Sequence, residues 1–269
     1  MRRNLVVTGL TGLLLAHLSV CAAQSGVEID ISRVELQAQA GGSVSTSLNV
    51  RHPGEADSKP MTVRPYLRDF LLPVQGTQTY AAPGSSPNSL GKWLQVTPTT
   101  FKIDPGKTQM VRYTVNVPPG TPPGLYWGAL FFEAKADENA QKAGTTSVRY
   151  QVDVGQIIYV QVGAGKFGGR LTGIEAALSG KTLNVAATIS NDGTTLIRAA
   201  GRAQIRDSSG KVLATVPIGE SIALPGNRRT FVGEGNLDLP AGHYDVLVAM
   251  QYAPGKFFTG QTALDVKAP

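Results

Sequence analysis

The sequence predicts an all-β protein: two tandem immunoglobulin-like β-sandwich domains behind an N-terminal signal peptide. Three observations carry that prediction. Apolar and polar residues alternate in many short stretches, the period-2 signal of half-buried strands. Glycine (31 residues) and proline (17) punctuate those stretches, as turns between short strands require. A glycine-rich stretch at 163–169 divides the 269 residues into parts that each suffice for an ordinary domain. The expected segments are therefore 1–23 (signal peptide), 24–164 (first domain) and 165–269 (second domain).

The first segment reads MRRNLVVTGLTGLLLAHLSVCAA. Arg2 and Arg3 supply a positive start, an apolar stretch runs from Leu5 to Val20, and the small Ala22 and Ala23 precede Gln24. That is the pattern of a secretory signal. A membrane span needs about 20 apolar residues, and Thr8, Thr11 and His17 interrupt this run. A second reading makes Cys21 a lipidated N-terminus, but Val20 stands before it, where bacterial lipoprotein signals usually carry Gly, Ala or Ser. Cleavage near Ala23 leaves an exported chain without cysteine, held together by core packing alone. No later apolar run is long enough to span a membrane, so a soluble mature protein is expected.

Strand patterns then follow one another. Val27, Ile29 and Ile31 alternate with Glu28, Asp30 and Ser32. Val44–Val50, Met61–Phe70, Phe101–Ile103, Met110–Val117 and Leu125–Ala134 continue the habit. Gly41-Gly42, Pro53-Gly54, Asp104-Pro105-Gly106 and Pro118-Pro119-Gly120 supply turn chemistry between them. Thr77–Gly91 reads as a long loop. Ala134–Ala143 is the only stretch with a helical look, and its polar residues point to a loop instead. In Ser147–Val162, Val148, Tyr150, Val152 and Val154 fall on one face, with Arg149, Gln151 and Asp153 on the other. The register changes at Gly155-Gln156. The apolar run that follows is expected of a strand buried on both sides near a domain junction. Beyond the glycine stretch, Leu171–Leu178, Thr182–Ser190, Ile197–Arg206, Val212–Val216, Thr230–Gly235, Tyr244–Tyr252 and Phe257–Val266 read as strands. Asn191-Asp192-Gly193 and Asp207–Gly210 read as turns.

The halves share a weak internal similarity. Residues 104–132 and 224–252 each carry a Pro-Gly turn, a strand, a Pro-containing turn, and Gly-x-Tyr opening a further strand.

Composition excludes several functions. The net charge of +6 is scattered, which gives no nucleic-acid footprint. Three histidines and one cysteine leave little material for a metal site or a nucleophile–base pair. No G-x-S-x-G, H-E-x-x-H, C-x-x-C or Walker loop is present. Gly163-Ala164-Gly165 only half resembles a phosphate loop, and no helix pattern follows it. His52 and His243 read as packing or surface histidines. No carboxylate pair stands out for glycoside hydrolysis. No enzyme activity and no cofactor are expected.

The strand ending the first domain is the candidate binding device. As a last strand at a sheet edge it offers free backbone groups to another chain. Four side chains at about 1.5–3 kcal/mol each give roughly 6–12 kcal/mol gross, against association costs of about 4–15 kcal/mol. Side-chain insertion alone is marginal, so backbone hydrogen bonds and a charged anchor must add to it. The plain alternative is a core strand facing its own sandwich.

Three segments carry a family resemblance: Ile29–Leu36 (IDISRVEL), Val44–Val50 (VSTSLNV) and Trp93–Phe132. In the last, Val96, Pro98, Phe101, Ile103, Pro105 and Gly106 form V-x-P-x-x-F-x-I-x-P-G. Val111 and Arg112 follow in a strand, then Leu125-Tyr126-Trp127 with Phe131-Phe132 behind. On these residues, over about 27–162, the chain resembles the N-terminal domain of the PapD-like periplasmic pilus-assembly chaperones. The second domain resembles that family only in being an immunoglobulin-like sandwich of similar size. The resemblance implies two domains set at an angle, a periplasmic location, and pilin-like subunits as partners, with an outer-membrane usher as a further one. It implies that the last strand of the first domain is donated to a subunit that lacks one. By position that strand is Thr146–Val154, with Val148, Tyr150, Val152 and Val154 as donated side chains. It also implies a carboxylate anchor for the subunit's C-terminus. Ser32-Arg33 matches the family's arginine, whose guanidinium can donate two parallel hydrogen bonds. The family's lysine falls at Gly155 or Gln156, where Gln156 offers only a neutral hydrogen bond. The family's R-E-S before the aromatics is replaced by Pro122-Pro123-Gly124. A different reading is a structural or adhesive surface module similar to the WxL-interacting proteins. Those end in a membrane span with a basic tail, whereas this sequence ends at Ala268-Pro269 after a strand pattern.

Overall fold

The computed structural model describes residues 26–56, 58–136 and 153–267. The signal segment, Cys21, most of Ala134–Ala143, and Val148, Tyr150 and Val152 lie outside the described residues. The first sandwich contains β1 (Glu28–Ile29), β2 (Arg33–Ala38), β3 (Ser43–Arg51), β4 (Met61–Leu71), β5 (Thr79–Ala81), β6 (Leu94–Thr97), β7 (Phe101–Ile103), β8 (Thr108–Asn116), β9 (Gly124–Ala136) and β10 (Val154–Val162). The second contains β11 (Gly169–Ser179), β12 (Thr182–Asn191), β13 (Ile197–Arg206), β14 (Val212–Ala223), β15 (Arg228–Asn236), β16 (Gly242–Ala253) and β17 (Lys256–Val266). Among the described residues there is no helix.

In the first lobe, β1-β3-β8-β6 face β2-β10-β9-β4-β5, with β7 also on β4. In the second, β11-β12-β15 face β14-β13-β16-β17. Each pair of sheets closes on its own apolar core. Leu48, Val111, Leu130, Phe132 and Ile158 belong to the first core. Leu183, Ile205, Phe231, Val246 and Met250 belong to the second. The alternation read from the sequence is thus the alternation of core-facing and outward residues.

Two prolines inside strands show how local chemistry limits pairing. Pro has no N–H to give a ladder and is tolerated at sheet edges. Pro217 lies in β14, which pairs only with β13. Pro65 lies in β4 between the stretch covered by β7 (Met61–Val63) and the stretch covered by β5 (Asp69–Leu71). Pro217 follows Val216, where the alternation in the sequence breaks off, yet the strand continues to Ala223. The loop expected at Thr77–Gly91 also contains the short strand β5.

The internal similarity corresponds to one device used twice. Gly106 (φ 73°) and Gly226 (φ 74°) sit in matching Pro-Gly turns, in the left-handed region that only glycine enters cheaply. Tyr126 donates its hydroxyl to the Pro122 carbonyl at 3.1 Å, and Tyr244 to the Pro240 carbonyl at 2.8 Å. Both tyrosines open a strand and bond four residues back, the tyrosine-corner arrangement of immunoglobulin-like sandwiches.

Among the described residues, His52 and His243 serve local structure. His52 is buried. Its Nδ1 accepts from the Gly54 N–H at 3.0 Å, so Nε2 carries the hydrogen and donates to the Lys59 carbonyl at 2.9 Å. His243 lies on the surface against Asp265.

The lobes meet through the outer face of the sheet that holds β9 and β10. On that face Phe70, Leu125, Trp127, Ala129 and Tyr159 pack with Leu224 of the second lobe, flanked by Leu196 and Ile222. Strand β9 is consequently buried on both faces from Gly124 to Leu130, and β10 from Ile158 to Val162. Charged links supplement this seam. Arg198 bonds Glu35 at 2.6 Å and Glu220 at 3.0 Å, and Glu220 lies 3.7 Å from Arg33. Arg229 donates to the Pro73 carbonyl and the Thr230 N–H to the Val74 carbonyl, both at 2.8 Å.

Candidate functional site: an open strand edge beside the interlobe cleft

The site begins with a strand that changes sheets. Asp30 ends the β1 pairing by clasping Asn49: its Oδ1 accepts from the Asn49 N–H at 2.9 Å and its Oδ2 from Nδ2 at 2.7 Å. Ile31 and Ser32 then cross to the other sheet. The Ile157 N–H donates to the Ser32 carbonyl at 2.9 Å, and from there β2 runs parallel to β10, pairing Arg33 with Ile157 through Ala38 with Val162. The sequence pattern joined Val27, Ile29 and Ile31 into one strand. The structure splits it, because alternation specifies an inward face and not which sheet the backbone joins.

This switch leaves β10 half covered. On its other side β10 pairs with β9 from Val154 through Val162. Upstream of Ile157 there is no second neighbour among the described residues. Backbone groups in an antiparallel ladder alternate sides. Since Ile157 directs its N–H toward β2, Gly155 directs its N–H and C=O the same way, away from β9. Neither group has a partner among the described residues.

Gly155 is bare for a reason. A Cβ there would meet two Phe131 ring carbons at 2.8 Å. The Phe131 ring leans over the glycine, stacks on Tyr66 at 5.5 Å and takes Tyr80 edge-on at 4.8 Å. Tyr66 donates its hydroxyl to Asp153 Oδ2 at 2.6 Å, tying the approach to β10 to β4. Burial, reinforced by the Asp153 carboxylate, pushes the Tyr66 phenol up to about 12.

The open edge borders a cleft of about 900 Å³ between the lobes. Arg33, Tyr80, Phe131, Gly155 and Tyr159 line one wall, and Arg198, Glu220, Ile222 and Arg229 the other. Arg33 is half exposed there, its side chain at 49%. Burial lifts the Tyr159 phenol to about 12, against the opposing pull of the nearby Arg198 and Arg33 charges.

The expected site residues separate. Arg33 faces the cleft. Gln156 does not: it is 1% exposed and points into the first lobe, accepting from the Tyr113 hydroxyl at 2.7 Å and donating to the Ile31 carbonyl at 3.0 Å. Alternation dictates this, since Gln156 shares a face with Ile158 and Val160 of the core. Val154 shares that face and packs at the margin of the same core. The structure therefore brings Arg33 together with Gly155 and Val154 along the cleft, Val154 also reaching the core margin, and not with Gln156. Arg198 and Arg229 reach the cleft from the second lobe, and no local pattern in the sequence marks them. Gly155 carried one available signal, a glycine inside a strand pattern, which often marks close approach.

The buried phenols make an alkaline prediction. Tyr66 and Tyr159 rise from 10.0 to about 12, and burial pushes Tyr113 higher still. The unfolded chain gives up these protons near pH 10 while the folded one holds them. Stability is therefore full below pH 10 and falls as pH rises from 10 through 12. Urea midpoints measured across that window should decline, and Tyr159→Phe should flatten the decline.

No family model matches the chain, and no curated protein matches it. Solved structures do. A chain of the chaperone–tip adhesin complex of CFA/I fimbriae biogenesis is 12% identical, over 89% of this chain and 99% of that one, with a TM-score of 0.49. The YadV chaperone is 12% identical over 88% of this chain and 99% of its own, with a TM-score of 0.47. The Pseudomonas aeruginosa CupB2 chaperone is 12% identical over 88% and 100%, with a TM-score of 0.45.

Proposed function

We propose that the protein is a periplasmic chaperone that holds exported, strand-deficient subunits of the pilin type and catalyses no covalent chemistry. A subunit strand pairs with the uncovered edge of β10, and its terminal carboxylate is held at Arg33. The observation that carries the reading is Gly155: its N–H and C=O have no partner among the described residues, and it lines a cleft together with Arg33. The resemblance of Trp93–Phe132 to the pilus-assembly chaperones supports it. Val148, Tyr150 and Val152 enter the proposal from the sequence pattern as donated side chains. Val154, half-buried at the cleft margin, stays in the proposal with them, whereas Gln156 is left out because it turns into the first lobe's own core. An outer-membrane usher is the proposed recipient of the loaded subunit.

The energetic argument favours a combined grip. Each backbone hydrogen bond contributes about 0.5–1.5 kcal/mol net and a charged one about 1.5–3 kcal/mol. These terms lift the marginal balance from side-chain insertion into useful affinity. Arg33→Ala should weaken subunit binding by about 10–100-fold, the equivalent of one charged hydrogen bond. The check is mild crosslinking in the native envelope, purification, and identification of what is attached. A small secreted subunit lost from both Arg33→Ala and Val152→Asp is expected. Attachment to cell-wall polymer, unchanged in either variant, would replace this reading with that of a surface module.

A further inference from the structure

The outer face of the second lobe's four-stranded sheet carries a trough of about 540 Å³, remote in sequence from β10 and lined by residues of β13, β16 and β17. Its form follows from the register. Arg202 lies across from Ala249, which lies across from Thr259. Gln204 lies across from Leu247, which lies across from Gln261. Long polar side chains on β13 and shorter polar ones on β17 therefore wall a floor of Ala249 and Leu247.

The charge in this trough is unbalanced. Arg202 and Arg206 form no ion pair among the described residues, and Asp245, across from Arg206 in register, does not pair with it. Arg206 is held in place by a 2.7 Å bond from Nη2 to Gln204 Oε1. Its Nε is buried and has no hydrogen-bond acceptor among the described residues. A buried charged donor without an acceptor is costly, so the lobe itself leaves part of the Arg206 guanidinium's hydrogen-bonding capacity unmet.

We propose that this trough binds an extended acidic segment of a partner protein, with carboxylates four residues apart meeting Arg202 and Arg206. Spacing and lining select that occupant. Four residues of strand span about 13 Å, and an extended segment with acids at the same interval carries both on one face. A single compact anion such as phosphate suits a cluster of cations better than two spread along a strand. No aromatic ring lines the trough, so a sugar has no face to stack on. Gln204, Gln261 and Thr259 offer hydrogen bonds to an extended backbone, and guanidinium groups suit carboxylates.

The test uses the full mature chain and a fluorescent pentapeptide with aspartate at both ends and threonine–valine–threonine between. Anisotropy should show binding at low salt that weakens as salt rises. The Arg202→Ala/Arg206→Ala double variant should weaken it at least tenfold. Arg202→Lys/Arg206→Lys should retain part of the affinity, and Arg33→Ala should leave it unchanged. Arg202 is exposed and Arg206 half-buried, and circular dichroism of the variants checks the fold. Three outcomes overturn the proposal: no binding to the wild-type chain, binding indifferent to the double alanine variant, or binding of heparin or phosphate in place of the peptide. Loss of peptide binding on Arg33→Ala would relocate the contact to the cleft and also overturn it.

Discussion

Asn191→Ala is expected to destabilise the second lobe by about 3–5 kcal/mol. The side chain is fully buried and joins three segments. Its Nδ2 donates to the Thr195 and Ala223 carbonyls, each at 2.8 Å, and its Oδ1 accepts from the Gly193 N–H at 3.1 Å. Truncation leaves the buried Gly193 and Ala223 groups and the half-buried Thr195 carbonyl unpaired, each buried one costing about 1–3 kcal/mol before relaxation. The backbone of Asn191 adds two more links, to Asn227 and Gly226 at 2.9 and 2.8 Å, and these survive the change. Urea unfolding should show the second lobe melting at a clearly lower midpoint while the first keeps its own. A shift under about 1 kcal/mol would mean that water replaces the lost amide and the hub is dispensable.

Trp127→Ala is expected to cost about 3–5 kcal/mol, the range for deleting a large buried aromatic. Its effect should reach both lobes. Trp127 is 4% exposed, its Nε1 donates to the Phe70 carbonyl at 3.0 Å, and it packs in the seam that includes Leu224 of the second lobe. Calorimetry should resolve two separated transitions in the variant, and small-angle scattering a larger radius of gyration. If the lobes still melt together with unchanged dimensions, the charged links around Arg198 hold them without the aromatic seam.

Much of this architecture was legible because most strands here have one buried face. Thr182–Ser190 and Ile197–Arg206 alternate cleanly, and the strands found there extend the reading by no more than a residue. What escaped did so for identifiable reasons. Alternation is silent about sheet membership, so the crossing at Ile31-Ser32 was invisible. Pro217 broke a pattern that the backbone continued, since an edge strand can spare an N–H. The site was half legible. Arg33 could be placed because its segment matched a motif. Gln156 was placed by position alone, and two-residue periodicity put it on the opposite face. Arg198 and Arg229 come from the other lobe, and the docking of the lobes, through Leu224 and Ile222 and the links to Glu35 and Pro73, brings them near Arg33. Gly155 was seen as a break in register, but its partner ring, Phe131, lies 24 positions earlier in the sequence.

The place where β2 joins β10 has a directional consequence. It is a buffer at the end of a siding: among the described residues no strand runs beside β10 on that side before Ile157, and β2 occupies it beyond. A visiting strand whose tail is to arrive at Arg33 must travel the same way as β10, head first from the upstream end. If the proposed docking holds, the buffer would meter its last residue, and guests of different lengths would dock with their tails aligned and their overhang at the far end.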